Sequence, residues 1–268
     1  MSRSKYINTF DTTADYNNYI ESAYPEFPNV GYDKQAGKVN IRRTSPNDYQ
    51  IWGTTTATSN FNIKLNGQNV EVTVDPELGE FYLTGWTGTL TSLNNFMNTS
   101  TEVTSIKKIA IDTSNVTLMG AGSNGGAFQN CTNLQHINFG GCDFSNVTSF
   151  GLCFAGNNMT LQELDLSDTN ISTACTDIHY FIYGQQQITT LNLNNCDFSA
   201  VTNVNSAFWG TNRLTDVYIN IEGTLMMLTN NLSSQGVSYI PSSATIHYDN
   251  GSEVIDYKWQ NNAWTPQS

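Results

Sequence analysis

The stretch LQELDLSDTNISTACTDIHYFIYGQQQITTLNLNNCDFSAVTNVNSAFWGTNRLTDVYI, residues 161–219, decides the fold. It contains one spacing of apolar residues three times: Leu161/Leu164/Leu166, Ile188/Leu191/Leu193 and Leu214/Val217/Ile219. The last two members of each set alternate, as in a strand with one buried face. Working outward, the same spacing recurs at Leu134/Ile137/Phe139, Ile106/Ile109/Ile111 and Leu78/Phe81/Leu83, with steps of 28, 28, 27, 27 and 26 residues between first positions. So regular a period marks a solenoid, in which each turn of backbone lays its strand beside the previous one and buries an apolar face that one turn alone could not. The fold class expected is a β-rich α/β solenoid of about six coils with a parallel β ladder, capped at both ends by non-repeat β structure.

Other positions keep the phase. Three residues beyond the last strand position come Ser114, Cys142, Thr169 and Cys196, all small and able to hydrogen-bond as the chain leaves its strand. Phe144, Ile171 and Phe198 are expected on one corner, with Phe128, Phe154, Phe181 and Phe208 on the opposite return, stacked at about 4.8 Å per coil. Asp112, Asp143 and Asp197 recur at the first corner, where a carboxylate commonly closes an Asx turn. The segments DTSNVT (112–117), DFSNVT (143–148), DFSAVT (197–202) and AFQNCTNL (127–134) resemble BspA-like leucine-rich repeats over residues 78–222. Two coils depart from that pattern, one by inserting residues 120–126 and one by replacing the usual corner with residues 174–180.

The flanks differ from the repeat, as ends that must cover a core should. Residues 46–77 read as an N-terminal β cap, with a hairpin turning at Asn66-Gly67. Residues 223–268 read as a C-terminal cap: a short helix from Thr224 to Leu232, then strands at 244–248 and 254–264, with Trp259 and Trp264 available to cover the last coil. Residues 1–45 read as an attachment or oligomerisation segment, with a helix start at Asp11 to Asp15 and a strand pair across 29–41. INTFDTTADY (7–16) followed by YPEFPNVGY (24–32) resembles the leader of virion structural proteins of crAss-like bacteriophages. That resemblance implies a virion location, partners among other virion proteins reached through the N-terminal segment, and a homo-oligomer.

Charged residues are only 13%, and the net charge is -12 with no basic stripe, so nucleic acid is not an expected partner. No apolar run reaches the length of a membrane span, and membrane insertion is not expected; nor does a secretion leader open the chain. Five cysteines without short paired spacings suggest core thiols rather than disulfides or a metal site. His136, His179 and His247 fall in unrelated phases, so no catalytic triad can be composed. Neither an enzymatic activity nor a cofactor is expected.

The working surface expected is the outward strand face, read as Tyr82, Ala110, Asn138, Asp165, Asn192 and Tyr218 and widened by His136, Glu163 and Asp216. It would take a host surface protein or a glycan. Two roles follow as expectations: a bacteriophage virion structural protein, such as a head or tail fibre or decoration component, or a bacterial cell-surface BspA-like adhesin.

Overall fold

The computed structural model describes residues 51–267 except 78, 84, 88, 91, 98–100, 112–116, 119–121, 124, 125, 130, 140, 141, 157–159, 168 and 232–239. The whole 1–45 segment, Leu78, Asp112, Ser114 and most of the 120–126 insertion therefore lie outside the described residues.

The chain enters through β1 (Ile51–Thr55), whose Ile51, Gly53 and Thr55 face inward. The expected hairpin follows as β2 (Phe61–Leu65) and β3 (Gln68–Asp75). Asn66 and Gly67 both take positive φ, 51° and 79°, the turn whose twist matches that of the strands it joins. Next come β4 (Glu80–Leu83), the short β5 (Thr89–Leu90), a 3-10 turn over Thr101–Ser105 and β6 (Ile106–Ile111).

Here the six-coil expectation is corrected. β4 was to be the first rung of the parallel ladder, yet it pairs antiparallel with β3 and β1, and β1 separates it from β6 by pairing antiparallel with both. The apolar spacing at Leu78/Phe81/Leu83 reports which side chains face the core, and any half-buried strand satisfies it whatever its neighbour's direction. Gly53 makes the insertion possible: a β-carbon there would collide with the Lys108 carbonyl oxygen and the Phe81 ring.

From β6 the chain winds as a β-solenoid of about four coils. Its elements are β7 (Thr117–Leu118), β8 (Gly122–Ser123), β9 (His136–Asn138), β10 (Val147–Ser149), β11 (Glu163–Asp165), β12 (Thr190–Asn192) and β13 (Asp216–Ile219). Rungs β6 and β9 are parallel, as are β11, β12 and β13, while β9 and β11 lie side by side where the two six-stranded sheets meet. A second, shorter ladder runs along another side of the coils: β5 with β7, β8 with β10, then single bridges Ser149 to Asp177 and Asp177 to Asn203, all parallel. The inserted residues 120–126 thus contribute to a ladder. Gly122 and Ser123 supply the rung that β10 meets, while Thr117 and Leu118 pair backward with β5.

On the third side the amides bond from coil to coil, Phe128 N to Cys153 O (2.9 Å), Phe154 N to Phe181 O (3.0 Å) and Ile182 N to Ala207 O (2.9 Å). A left-handed residue stands at one repeated position of this side, Gly126, Leu152, Tyr180 and Ser206. The two residues after it are buried in each coil: Ala127-Phe128, Cys153-Phe154, Phe181-Ile182 and Ala207-Phe208. The aromatic column needs one correction here, since Ile182, not Phe181, is the backbone equivalent of Phe128, Phe154 and Phe208. Phe181 stands one place earlier, where the other coils carry Cys or Ala, so bulk is exchanged between two adjacent sites and the core stays filled.

The rings meet at 5.5 to 6.5 Å rather than at the strand spacing. Phe128 and Phe154 are parallel within 3°, while Phe154 meets Phe181 edge-on at 79°. The quadrupole of a benzene ring favours offset and tilted neighbours over a sandwich, which accounts for the alternation. Phe144, Ile171 and Phe198 are buried as expected, and Phe150 fills the centre between Phe144, Phe181 and Phe198.

Beyond β13 the chain forms α1 (Glu222–Asn231) and a meander of β14 (Thr245–Asp249), β15 (Val254–Gln260) and β16 (Ala263–Pro266). β14 is a further parallel rung, with Val217 opposite Ile246, and only then does the sheet turn antiparallel. Trp259 and Trp264 meet edge-on at 5.6 Å, and Trp264 is buried against the core.

Two measurements check this core. Phe154→Ala removes a ring that touches Phe128, Phe139 and Phe181 and should cost about 3–5 kcal/mol in denaturant unfolding. Cys131, Cys142, Cys153, Cys175 and Cys196 are all buried thiols outside any disulfide, and burial pushes the Cys175 and Cys196 thiols up to about 12. A thiol reagent should therefore label none of the five in the native protein at neutral pH and all five once it unfolds.

Candidate functional site

Register places the outward strand residues in rows, one residue per rung. One row runs Tyr82, Trp52, Ala110, Asn138 in the first sheet, and Asp165, Asn192, Tyr218, His247, Asp256 in the second. The next runs Lys108, His136 and then Glu163, Thr190, Asp216, Thr245, Lys258.

Of the residues expected on this surface, Asp165, Asn192 and Tyr218 are direct neighbours, and Glu163 and Asp216 flank Thr190. Asn138 and His136 lie on β9. Tyr82 stands apart, because Trp52 of the intruding β1 occupies the place beside Ala110. Ala110 itself is buried at 2% exposure, so the row is closed there rather than open. Tyr218, by contrast, is 39% exposed.

Several of these side chains also serve their own backbone. Asp165 Oδ1 accepts from Ser167 N (2.9 Å) and Asn192 Oδ1 from Asn194 N (3.1 Å). The corner carboxylates behave as expected, Asp143 accepting from Ser145 N (3.0 Å) and Asp197 from Ser199 N (2.9 Å). These bonds fix the direction of each side-chain carbonyl or carboxylate oxygen, and an oxygen so held can accept a further hydrogen bond, an arrangement suited to hydrogen-bonding recognition.

Sequence reading missed the C-terminal part of the surface. His247 Nε2 lies 2.9 Å from Asp216 Oδ1, its Nδ1 lies 2.7 Å from Asp256 Oδ1, and its ring stacks on Tyr218 at 4.7 Å and 17°. The His247 hydrogen bond, helped by the Thr215 hydroxyl, holds the Asp216 carboxyl below its ordinary value of 3.8. Ile246 and Tyr248 do repeat the strand alternation. The first apolar position of the pattern would be residue 243, however, and that is a serine.

A second constellation lies on the shorter ladder, where Asp177 joins Ser149 to His179. Ser149 Oγ donates to Asp177 Oδ2 at 2.9 Å, and His179 Nδ1 lies 2.8 Å from Asp177 Oδ1. The carboxylate stands between the hydroxyl and the imidazole, whereas nucleophile activation needs the imidazole in the middle. The three side chains therefore brace consecutive coils, and the His179 ring covers Gly151, where a β-carbon would strike it. Among the described residues, no group of three or more His, Cys, Asp or Glu is placed to hold a metal ion, and no helix is long and apolar enough to cross a membrane.

Compared with known proteins, the chain matches no family model, no curated protein and no solved structure.

Burial raises the Asp177 carboxyl, but hydrogen bonds from the His179 amide, the His179 ring and the Ser149 hydroxyl outweigh it and leave the group below 3.8. A depressed carboxyl contributes stability above its unfolded value and loses it as the pH falls through the folded one. Asp177→Asn should accordingly lower the denaturation midpoint at pH 5 and flatten its fall below pH 3.8, as read from unfolding curves taken between pH 5 and 2.

Proposed function

We propose that this chain is a bacteriophage virion structural protein, a head or tail fibre or decoration component, whose solenoid is a BspA-like leucine-rich repeat. In this reading residues 1–45 join it to other virion proteins and the outward strand face recognises a protein or glycan, without catalysis. The observation that carries the recognition role is the in-register polar row of Asp165, Asn192 and Tyr218, flanked by Glu163 and Asp216 and ending on an exposed aromatic. Such a row offers fixed acceptors and a ring edge at strand spacing, which fits the hydroxyls of a sugar chain or the polar groups of a protein surface. The resemblance of residues 7–32 to a phage leader supports the particle location.

A bacterial cell-surface adhesin is the second reading, favoured by the repeat motifs at 143–148 and 197–202, which resemble those of BspA-like proteins. Mass spectrometry of purified particles distinguishes the two, and failure to find the chain in them removes the first. For the surface itself, a glycan array and host-cell binding assay should show at least tenfold weaker binding for the triple variant Asp165→Ala, Asn192→Ala, Tyr218→Ala. Unchanged binding by a folded triple variant would move recognition to another face.

A further inference from the structure

We propose that His247 is a proton-dependent clasp, gripping Asp216 of the last coil and Asp256 of the cap at once, and that loss of its proton to solvent loosens the C-terminal meander from the solenoid. A neutral imidazole has one N–H and one lone pair, so it can serve only one of two carboxylates; the imidazolium donates to both. Both ring nitrogens here face carboxylate oxygens, at 2.9 and 2.7 Å. Tyr218 lies parallel to the ring at 4.7 Å, which fixes its plane. The His247 side chain retains 19% of its accessibility, so a proton can leave while the bonds remain partly shielded from water.

The location gives the proton its leverage. Asp216 is on β13, His247 on β14 and Asp256 on β15, so one ring ties together the last coil, the added parallel rung and the first antiparallel strand. The other charged or titratable groups on this side are Tyr218 of β13, Asp249 at the end of β14 and Lys258 of β15. Lys258 pairs with Thr245 in the neighbouring row, and Asp249 Oδ1 accepts the Gly251 amide at 2.8 Å. Tyr248 and Tyr257 pack toward the core on the opposite face. The local charge is thus negative without His247, and discharge leaves one of the two carboxylates facing the ring's lone pair. At the acid end Asp216, held below 3.8 by the His247 hydrogen bond, keeps its charge to lower pH than an ordinary carboxyl.

Hydrogen exchange of the full chain, read by mass spectrometry at pH 5.5 and 8.5 and corrected for intrinsic rates, tests this. Protection of β14–β16 should fall at least tenfold from the lower to the higher pH, while β11 and β12 stay unchanged. That difference should vanish in His247→Gln, and in Asp256→Asn, whose partly exposed carboxylate can be neutralised without opening the core. Equal protection of the cap at both pH values in the unaltered protein overturns the proposal, as does a pH-dependent loss that survives in either variant.

Discussion

Backbone hydrogen bonding from one coil to the next is the constraint on which everything else depends. It fixes strands and turns of successive coils at one spacing, so whatever stands at a position in one coil stands against its counterpart in the next. Inside, this demands residues that tolerate their own kind as neighbours, and phenylalanine does so by tilting. Outside, like charges at that spacing would repel, and hydroxyl and amide side chains avoid the difficulty. Thr160, Thr189 and Thr215 each donate to a carbonyl of the preceding coil, at 3.1 Å in all three cases, and Asn195 and Asn220 exchange bonds across the final step. The scarcity of charge in the composition is a product of the same geometry.

The periodic interior was therefore legible, because a side chain that must stack leaves a record every coil. Thr169 and Cys196 turn inward as their spacing indicates, Thr169 Oγ1 and Cys196 Sγ both reaching Leu166 O. Thr224 of α1 continues the column by accepting the Phe198 amide (2.9 Å) and donating to Cys196 O (2.7 Å). What spacing could not reveal was partner identity. β4 has the side-chain alternation of a coil strand but the wrong neighbour, and β14 has the right neighbour but lacks one apolar residue. Both failures lie at the junctions, where a strand's side chains are set by the core beneath it and its direction by chain that is remote in sequence.

The candidate surface was legible to the same extent. Asp165, Asn192 and Tyr218 follow from period alone, whereas Trp52, His247 and Asp256 join the row only through pairings that period does not encode. Phe181 shows the finest grain of error. A one-residue change in loop length was offset by exchanging bulk between adjacent inward sites, and the sequence still displays a Phe at nearly the expected interval.

The reversed strand β1 also bears on how such a molecule can be assembled. A run of parallel coils with both ends open would be a template for indefinite growth, each molecule continuing the next. Here one terminus finishes in a hairpin whose outer strand already gives its Lys64 amide to Phe96 O at 2.9 Å, and the other ends in a strand closed by Pro266, which has no amide hydrogen to give. Among the described residues neither extremity of the ladder presents a parallel rung, so the strands that cover the coils also remove the template on which another run of coils could stack.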